Sequence, residues 1–182
     1  VSTLPAGALQ TTNGSNANAA SATLFVGNLI VSSAPLSIVV PANSDGLYFD
    51  FLAGTTSTTQ TAGSAWNPYG SANLQFFWPN AGTLAPAGVA ATAGGNFVVL
   101  ASGATIDSSS VFSSAGTVAA TANFRLVGNV DGYLGIRFTN TTVTPNIVTY
   151  GYVHLQTTGT TGHPATVLGY AYNRAGLPIT IP

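Results

Sequence analysis

Asn129-Val130-Asp131-Gly132-Tyr133-Leu134-Gly135-Ile136-Arg137-Phe138-Thr139 is the stretch that decides the fold class. From Tyr133 on, Leu134, Ile136 and Phe138 point one way, and Tyr133, Gly135 and Arg137 the other. That is the two-residue period of a strand. Asp131-Gly132 ahead of it reads as a hairpin turn, whose central positions favour φ > 0. In residues 147–156, Val153 and Leu155 fall on one face, with Tyr152, His154 and Gln156 opposite. In residues 165–172, Leu168, Tyr170 and Tyr172 share a face.

Upstream the pattern repeats more weakly. Short β-prone runs lie at 23–31, 36–40, 47–52, 73–78, 96–101 and 123–130, with a last one at 178–181. Gly, Pro, Asn and Ser separate them, and no stretch sustains a 3.6-residue period. Residues 81–95 contain Pro86 and several glycines and read as a loop. Residues 55–64 form a Thr/Ser/Gly loop exposed at one end, and 115–122 fit a short helix or a further strand. The expectation is an all-β fold, a single antiparallel β-sandwich of jelly-roll type over residues 23–182. Residues 1–22 are small and polar. Such a segment becomes ordered only when tied down, for instance as a strand paired with a neighbouring subunit.

Charge is nearly absent. Among 182 residues there are three arginines (Arg125, Arg137, Arg174) and four aspartates (Asp45, Asp50, Asp107, Asp131), giving a net charge of −1. A typical domain is about 25% charged; this chain is 4%. Three scattered arginines cannot neutralise a phosphate backbone, so nucleic acid is excluded as a partner. No apolar run reaches the ~18–20 residues of a membrane-spanning helix. With no cysteine or methionine, disulfides and thiolate metal sites are excluded, and the two most oxidisable side chains are missing. Mean hydropathy is +0.37. A polar surface built from Ser, Thr, Asn, Gln and Gly suits burial against copies of itself, or a surface that carries or binds sugars. The start at Val1 reads as a processed one, with a signal peptide removed.

Three blocks in the last third resemble a known arrangement. Gly132-Tyr133-Leu134-Gly135-Ile136-Arg137-Phe138, then Tyr150-Gly151-Tyr152-Val153-His154-Leu155, then Ala165-Thr166-Val167-Leu168-Gly169-Tyr170-Ala171-Tyr172-Asn173 resemble a triplet found in bacterial exported proteins of the PEP-CTERM, exosortase-sorted type. The resemblance covers about residues 131–182. That family's sorting tail, a Pro-Glu-Pro motif with an apolar helix and basic residues, is missing. The chain stops at Gly176-Leu177-Pro178-Ile179-Thr180-Ile181-Pro182, about where the tail would begin, as expected if maturation removes it or if it was never present. The resemblance implies export, display on or release from a bacterial surface, and association with biofilm or floc. It implies no activity and carries over no catalytic residue.

Hydrolytic chemistry would need a nucleophile, base and orienting acid, or two carboxylates. The histidines are His154, in a strand beside Tyr152, and His163, before Pro164 in a Gly/Thr-rich loop. No Gly-x-Ser-x-Gly elbow occurs. The chain is expected to be no enzyme and to hold no resident cofactor. Ca²⁺ is the one metal with candidates, Asp45 in Ser44-Asp45-Gly46 and Asp50. The plainer reading makes Asp45-Gly46 a turn and Asp50 an outward-facing strand residue. Trp66, Tyr69 and Trp78 lie among Asn67-Pro68 and Pro79 and would suit sugar stacking if exposed, Trp66 most of all. Otherwise they fill the core. Tyr133, Arg137, Tyr152, His154, Tyr170 and Tyr172 form an outward aromatic-cationic set, an interface patch or the underside of a covering loop. Asn13-Gly14-Ser15 and Asn140-Thr141-Thr142 match glycosylation sequons.

The leading expectation is a structural, self-associating extracellular subunit of a filament, sheath or biofilm matrix. Its partners would be copies of itself and extracellular polysaccharide. Assembly would use strand edges, with residues 1–22 or 178–181 completing a neighbour's sheet. The alternative is a surface-displayed, carbohydrate-binding adhesin.

Overall fold

A computed structural model describes residues 23–26, 28–32, 36–80, 82 and 85–182. The proposed subunit-pairing segment 1–22 and the Asn13 sequon lie outside the described residues.

The three longest strands are β12 (Val130–Asn140), β13 (Ile147–Thr157) and β14 (Ala165–Asn173). They form an antiparallel meander at the centre of the main sheet. Strands from earlier in the chain flank it. On one side β1 (Thr23–Val26) and β2 (Leu29–Ser32) form a hairpin that joins β14, and β3 (Ile38–Val40) pairs further along the same strand. On the other, β8 (Gly88–Ala90) and β9 (Val99–Leu100) pair with β12, and β11 (Phe112–Ser113) pairs with β8. The chain is therefore all-β and antiparallel, with a single 3₁₀ turn, Ala122–Phe124, among the described residues.

One face of the meander carries Leu134, Ile136, Phe138, Val153, Leu155 and Val167, all essentially inaccessible to water. It is covered by two short ribbons, β4 (Tyr48–Asp50) with β5 (Thr55–Ser57) and β6 (Asn67–Tyr69) with β7 (Gln75–Phe77). Their aromatic side chains supply the facing layer. Phe51 packs 5.5 Å from Phe138 and 5.1 Å from Tyr170, and Trp66 lies 5.1 Å from Phe49 and 5.3 Å from Phe76. On the opposite face a smaller cluster of Ile106, Tyr150, Ala171, Ile179 and Ile181 is capped by β10 (Thr105–Ile106) paired with β15 (Ile179–Thr180). This layering is compatible with a β-sandwich whose second layer is made of ribbons.

Four local expectations are corrected. Asp131-Gly132 is not a turn: both residues sit inside β12, and Gly132 is not among the positive-φ glycines. The glycine is there for space, since a Cβ on it would stand 2.4 Å from Val99 Cγ1. The turn lies earlier, at Gly128 with φ of 91°. Residues 123–130 are accordingly a 3₁₀ turn and further turns. Leu126 N and Arg125 N both bond to Ala122 O, and the Arg125 side chain is drawn inward. The 81–95 loop contains strand β8. Residues 178–181 complete this chain's own structure, through Thr105–Ile106 and through Ile181 N to Ala104 O. Burial of Ile179 and Ile181 fixes that choice.

Gly135 sits where β12 crosses beneath Ala90, Leu100 and Ile106. A Cβ there would meet Ala90 Cβ and Leu100 Cδ1 at 2.9 Å each. Gly135→Ala is expected to destabilise by about 1–3 kcal/mol through overpacking. A urea-unfolding midpoint equal to that of the unmodified protein would contradict this.

Candidate functional site

The interface set expected from sequence divides between two faces. Tyr133 stands directly opposite His154 in the β12–β13 register, and Asp131 lies diagonal to it. The His154 ring stacks on Tyr133 at 4.5 Å with an interplanar angle of 18°, and its Nε2 meets Asp131 Oδ1 at 2.6 Å. Tyr152 approaches Tyr133 edge-on at 5.4 Å. Burial, and then the neighbouring Tyr133, push the Tyr152 phenol above its ordinary range. Arg137 lies further along the same face, its guanidinium 4.6 Å from the centre of the Phe112 ring. Its ring partner, Phe112, is on β11, which sequence reading did not find as a strand.

Tyr170 and Tyr172 do not belong to this patch. Both point into the main core, where Tyr170 meets Phe51, and Tyr172 meets Phe138 at 5.3 Å. Burial pushes the Tyr170 hydroxyl up to about 12, and raises that of Tyr172. The cause of the misassignment is a β-bulge. Between His154 and Leu155 the register slips, so His154 pairs with Gly169 but Leu155 with Val167. Leu168 is the extra residue, and simple alternation through it puts the following side chains on the wrong face.

The bulge also shapes a hollow of about 160 Å³ beside the patch. Tyr133, Tyr152 and His154 line one side of it. Gly169, Ser32 and Pro182 line the other. Ser32 Oγ accepts a hydrogen bond from Tyr170 N at 2.9 Å, which joins the end of β2 to the bulge. A larger, shallower depression of about 450 Å³ lies by Val98, Val127 and Asp131.

No family model, curated protein or solved structure matches the chain. Asp131 engages His154, but among the described residues no hydroxyl hydrogen-bonds to that ring. The patch offers two phenol rings with polar ends, one hydrogen-bonded Asp–His pair and a small adjoining cavity.

The sugar-stacking expectation for the tryptophans is overturned. Trp66 is 0% exposed at the centre of the aromatic layer, and Trp78 is also buried. Tyr69 is half-buried on β6, its hydroxyl donating to Gln75 Oε1 at 3.2 Å. Asn67-Pro68, which suggested a loop, instead belongs to β6, so Trp66 enters an ordered ribbon. The two aspartates considered for Ca²⁺ serve turns. Asp50 Oδ1 accepts Ala53 N at 2.9 Å, and Asp45 N and Gly46 N both bond to Asn43 Oδ1. Among the described residues no three His, Cys, Asp or Glu side chains come together in a metal-ligating group. Asn140 of the second sequon is wholly buried, with its Oδ1 held by Thr142. No helix among the described residues is long and apolar enough to cross a membrane.

His163 lies away from the patch, against the Gly70 backbone. Both ring nitrogens are shielded from water and lack a well-formed hydrogen bond. Burial disfavours the imidazolium and lowers its pKa from the usual 6.5; the Gly70 backbone works weakly the other way. The unfolded chain thus takes up this proton more readily than the folded one. His163 is expected to leave stability unchanged above pH 6.5, and to cost stability as pH falls from there toward the lowered folded value. Urea midpoints from pH 7 to pH 5 should fall less steeply in His163→Phe. Parallel curves would contradict the assignment.

Proposed function

We propose that this chain is a non-enzymatic structural subunit that associates with copies of itself outside the cell, as part of a filament, sheath or biofilm matrix. The observation that carries the reading is a surface with almost no charge. Of the three arginines, Arg125 is buried, and of the four aspartates, Asp131 is engaged by His154. Water-facing positions are dominated by Ser, Thr, Asn, Gly and Ala. Single apolar side chains also stand out, among them Val39, Val111, Leu126, Val127 and Leu177. Copies of such a molecule do not repel one another, and burying the apolar positions favours association.

Among the described residues, the sheet also ends on strands paired on one side: β1 pairs with β2 at one end of the sheet order, and β11 with β8 at the other. Edges of this kind are templates for pairing with another chain. The PEP-CTERM-type blocks support an exported, bacterial surface or matrix setting. Negative-stain microscopy of concentrated protein is expected to reveal ordered polymers. A field of dispersed single molecules under all conditions would overturn the proposal.

A further inference from the structure

We propose that the hollow beside Tyr133, Tyr152 and His154 binds one ring of a neutral carbohydrate. The inference stands on this pocket and not on self-association.

The pocket exists because of a local departure from regular sheet structure. The extra residue Leu168 bulges β14, and the position that then faces His154 is Gly169. Paired residues share a face, so any side chain at 169 would stand beside His154 and occupy the hollow. The space is open: a Cβ on Gly169 would have only Ser32 Oγ within 4 Å, at 3.4 Å. A bulge and a missing side chain thus combine to leave a cavity where a regular strand would fill one.

Its size and chemistry narrow the ligand. About 160 Å³ is below the ~300 Å³ of the smallest drug-sized pockets, and suits a single ring. A sugar ring has an apolar C–H face and a rim of hydroxyls. Tyr133 and Tyr152 bring ring carbons and hydroxyl ends to the pocket wall, and Ser32 and His154 add polar atoms. The Asp131 carboxylate and the His154 ring beside the pocket are already hydrogen-bonded to each other at 2.6 Å. Among the described residues no Arg lines the pocket to meet an anionic ligand, since Arg137 lies against Phe112 instead.

The test titrates the full chain with neutral oligosaccharides of glucose, mannose, galactose and xylose, and with an oligouronate as the anionic control. Calorimetry or chemical-shift perturbation reads the binding. At least one neutral oligosaccharide is expected to bind. Gly169→Leu should fill the hollow and Tyr152→Ala should remove a wall. Each should weaken binding by about tenfold or more, the scale of one good aromatic contact. Circular dichroism and unfolding midpoints establish that the variants are folded, and Gly169→Leu adds its side chain to open space, so it keeps the test sound if Tyr152→Ala does not fold. Binding of no neutral oligosaccharide would overturn the proposal. So would binding of the oligouronate alone, or undiminished affinity in folded Gly169→Leu.

Discussion

Replacing Arg125 by methionine is expected to remove about 3–5 kcal/mol of folding stability. Arg125 is only 5% exposed, yet among the described residues it has no carboxylate partner. Oxygen acceptors surround it instead. Nε donates to Thr121 Oγ1 at 3.0 Å, and Nη1 to Asn73 Oδ1 at 2.9 Å and to Thr160 O at 3.4 Å. Nη2 donates to Val118 O at 2.8 Å. Thr121 Oγ1 in turn donates to Leu74 O at 2.7 Å. One side chain therefore ties together the segment before β7, the 118–121 turn and the loop between β13 and β14. Methionine fills much of the volume but takes the donor away from buried Thr121 Oγ1 and from the part-buried Asn73 Oδ1, Thr160 O and Val118 O, and each buried orphan costs about 1–3 kcal/mol. Lysine should rescue only part of the loss, because a single ammonium cannot reproduce the planar fork. Denaturant midpoints measure all three proteins. A loss under about 1 kcal/mol for Arg125→Met would show that the network is incidental. Domains hold only about 5–15 kcal/mol in total, so the expected loss is a large fraction of the whole.

The second large effect is at Trp66. Its ring is fully buried between Phe49, Phe51 and Phe76. Trp66→Ala is expected to cost about 3–5 kcal/mol, as large-to-small changes in an aromatic core do. The indole Nε1 is buried without a partner, so Trp66→Phe removes a polar atom already unsatisfied. That variant should lose clearly less, about 1–2 kcal/mol. A Trp66→Ala protein as stable as the parent would put the ring at the surface, where the sugar-stacking expectation had it.

The legible parts of this fold are those where the two-residue period runs long. β12, β13 and β14 each show it over several residues, and their core faces of Leu134, Ile136, Phe138, Val153 and Leu155 follow from alternation alone. What alternation could not reveal is where it breaks. The bulge at Leu168 turned Tyr170 and Tyr172 from the expected surface into the core. Asp-Gly has one local meaning in a hairpin, but Gly132 is required by the packing of Val99, a residue more than thirty positions away. Residues 123–130 suggest a strand by their composition, yet Arg125 turns inward to the Thr160 and Val118 carbonyls.

The site was half legible. Tyr133, Tyr152 and His154 fell together because they sit on directly paired strands. Asp131 was missed because it had been assigned to a turn, and its diagonal contact with His154 depends on β12 continuing through it. Gly169 carried no signal of its own, since the significance of a missing side chain appears only when its cross-strand neighbour is known. Trp66 was misjudged because Asn67-Pro68 resembles a loop, yet Pro68 sits in the middle of β6 opposite Phe76, where a short edge-like strand pairs on one side.

Self-association is open to sedimentation velocity across a wide concentration range. Particle size is expected to grow with concentration and to change little as salt is raised, because interfaces with so little charge have little to screen. A single monomeric species at every concentration, at low and at high salt, would contradict it.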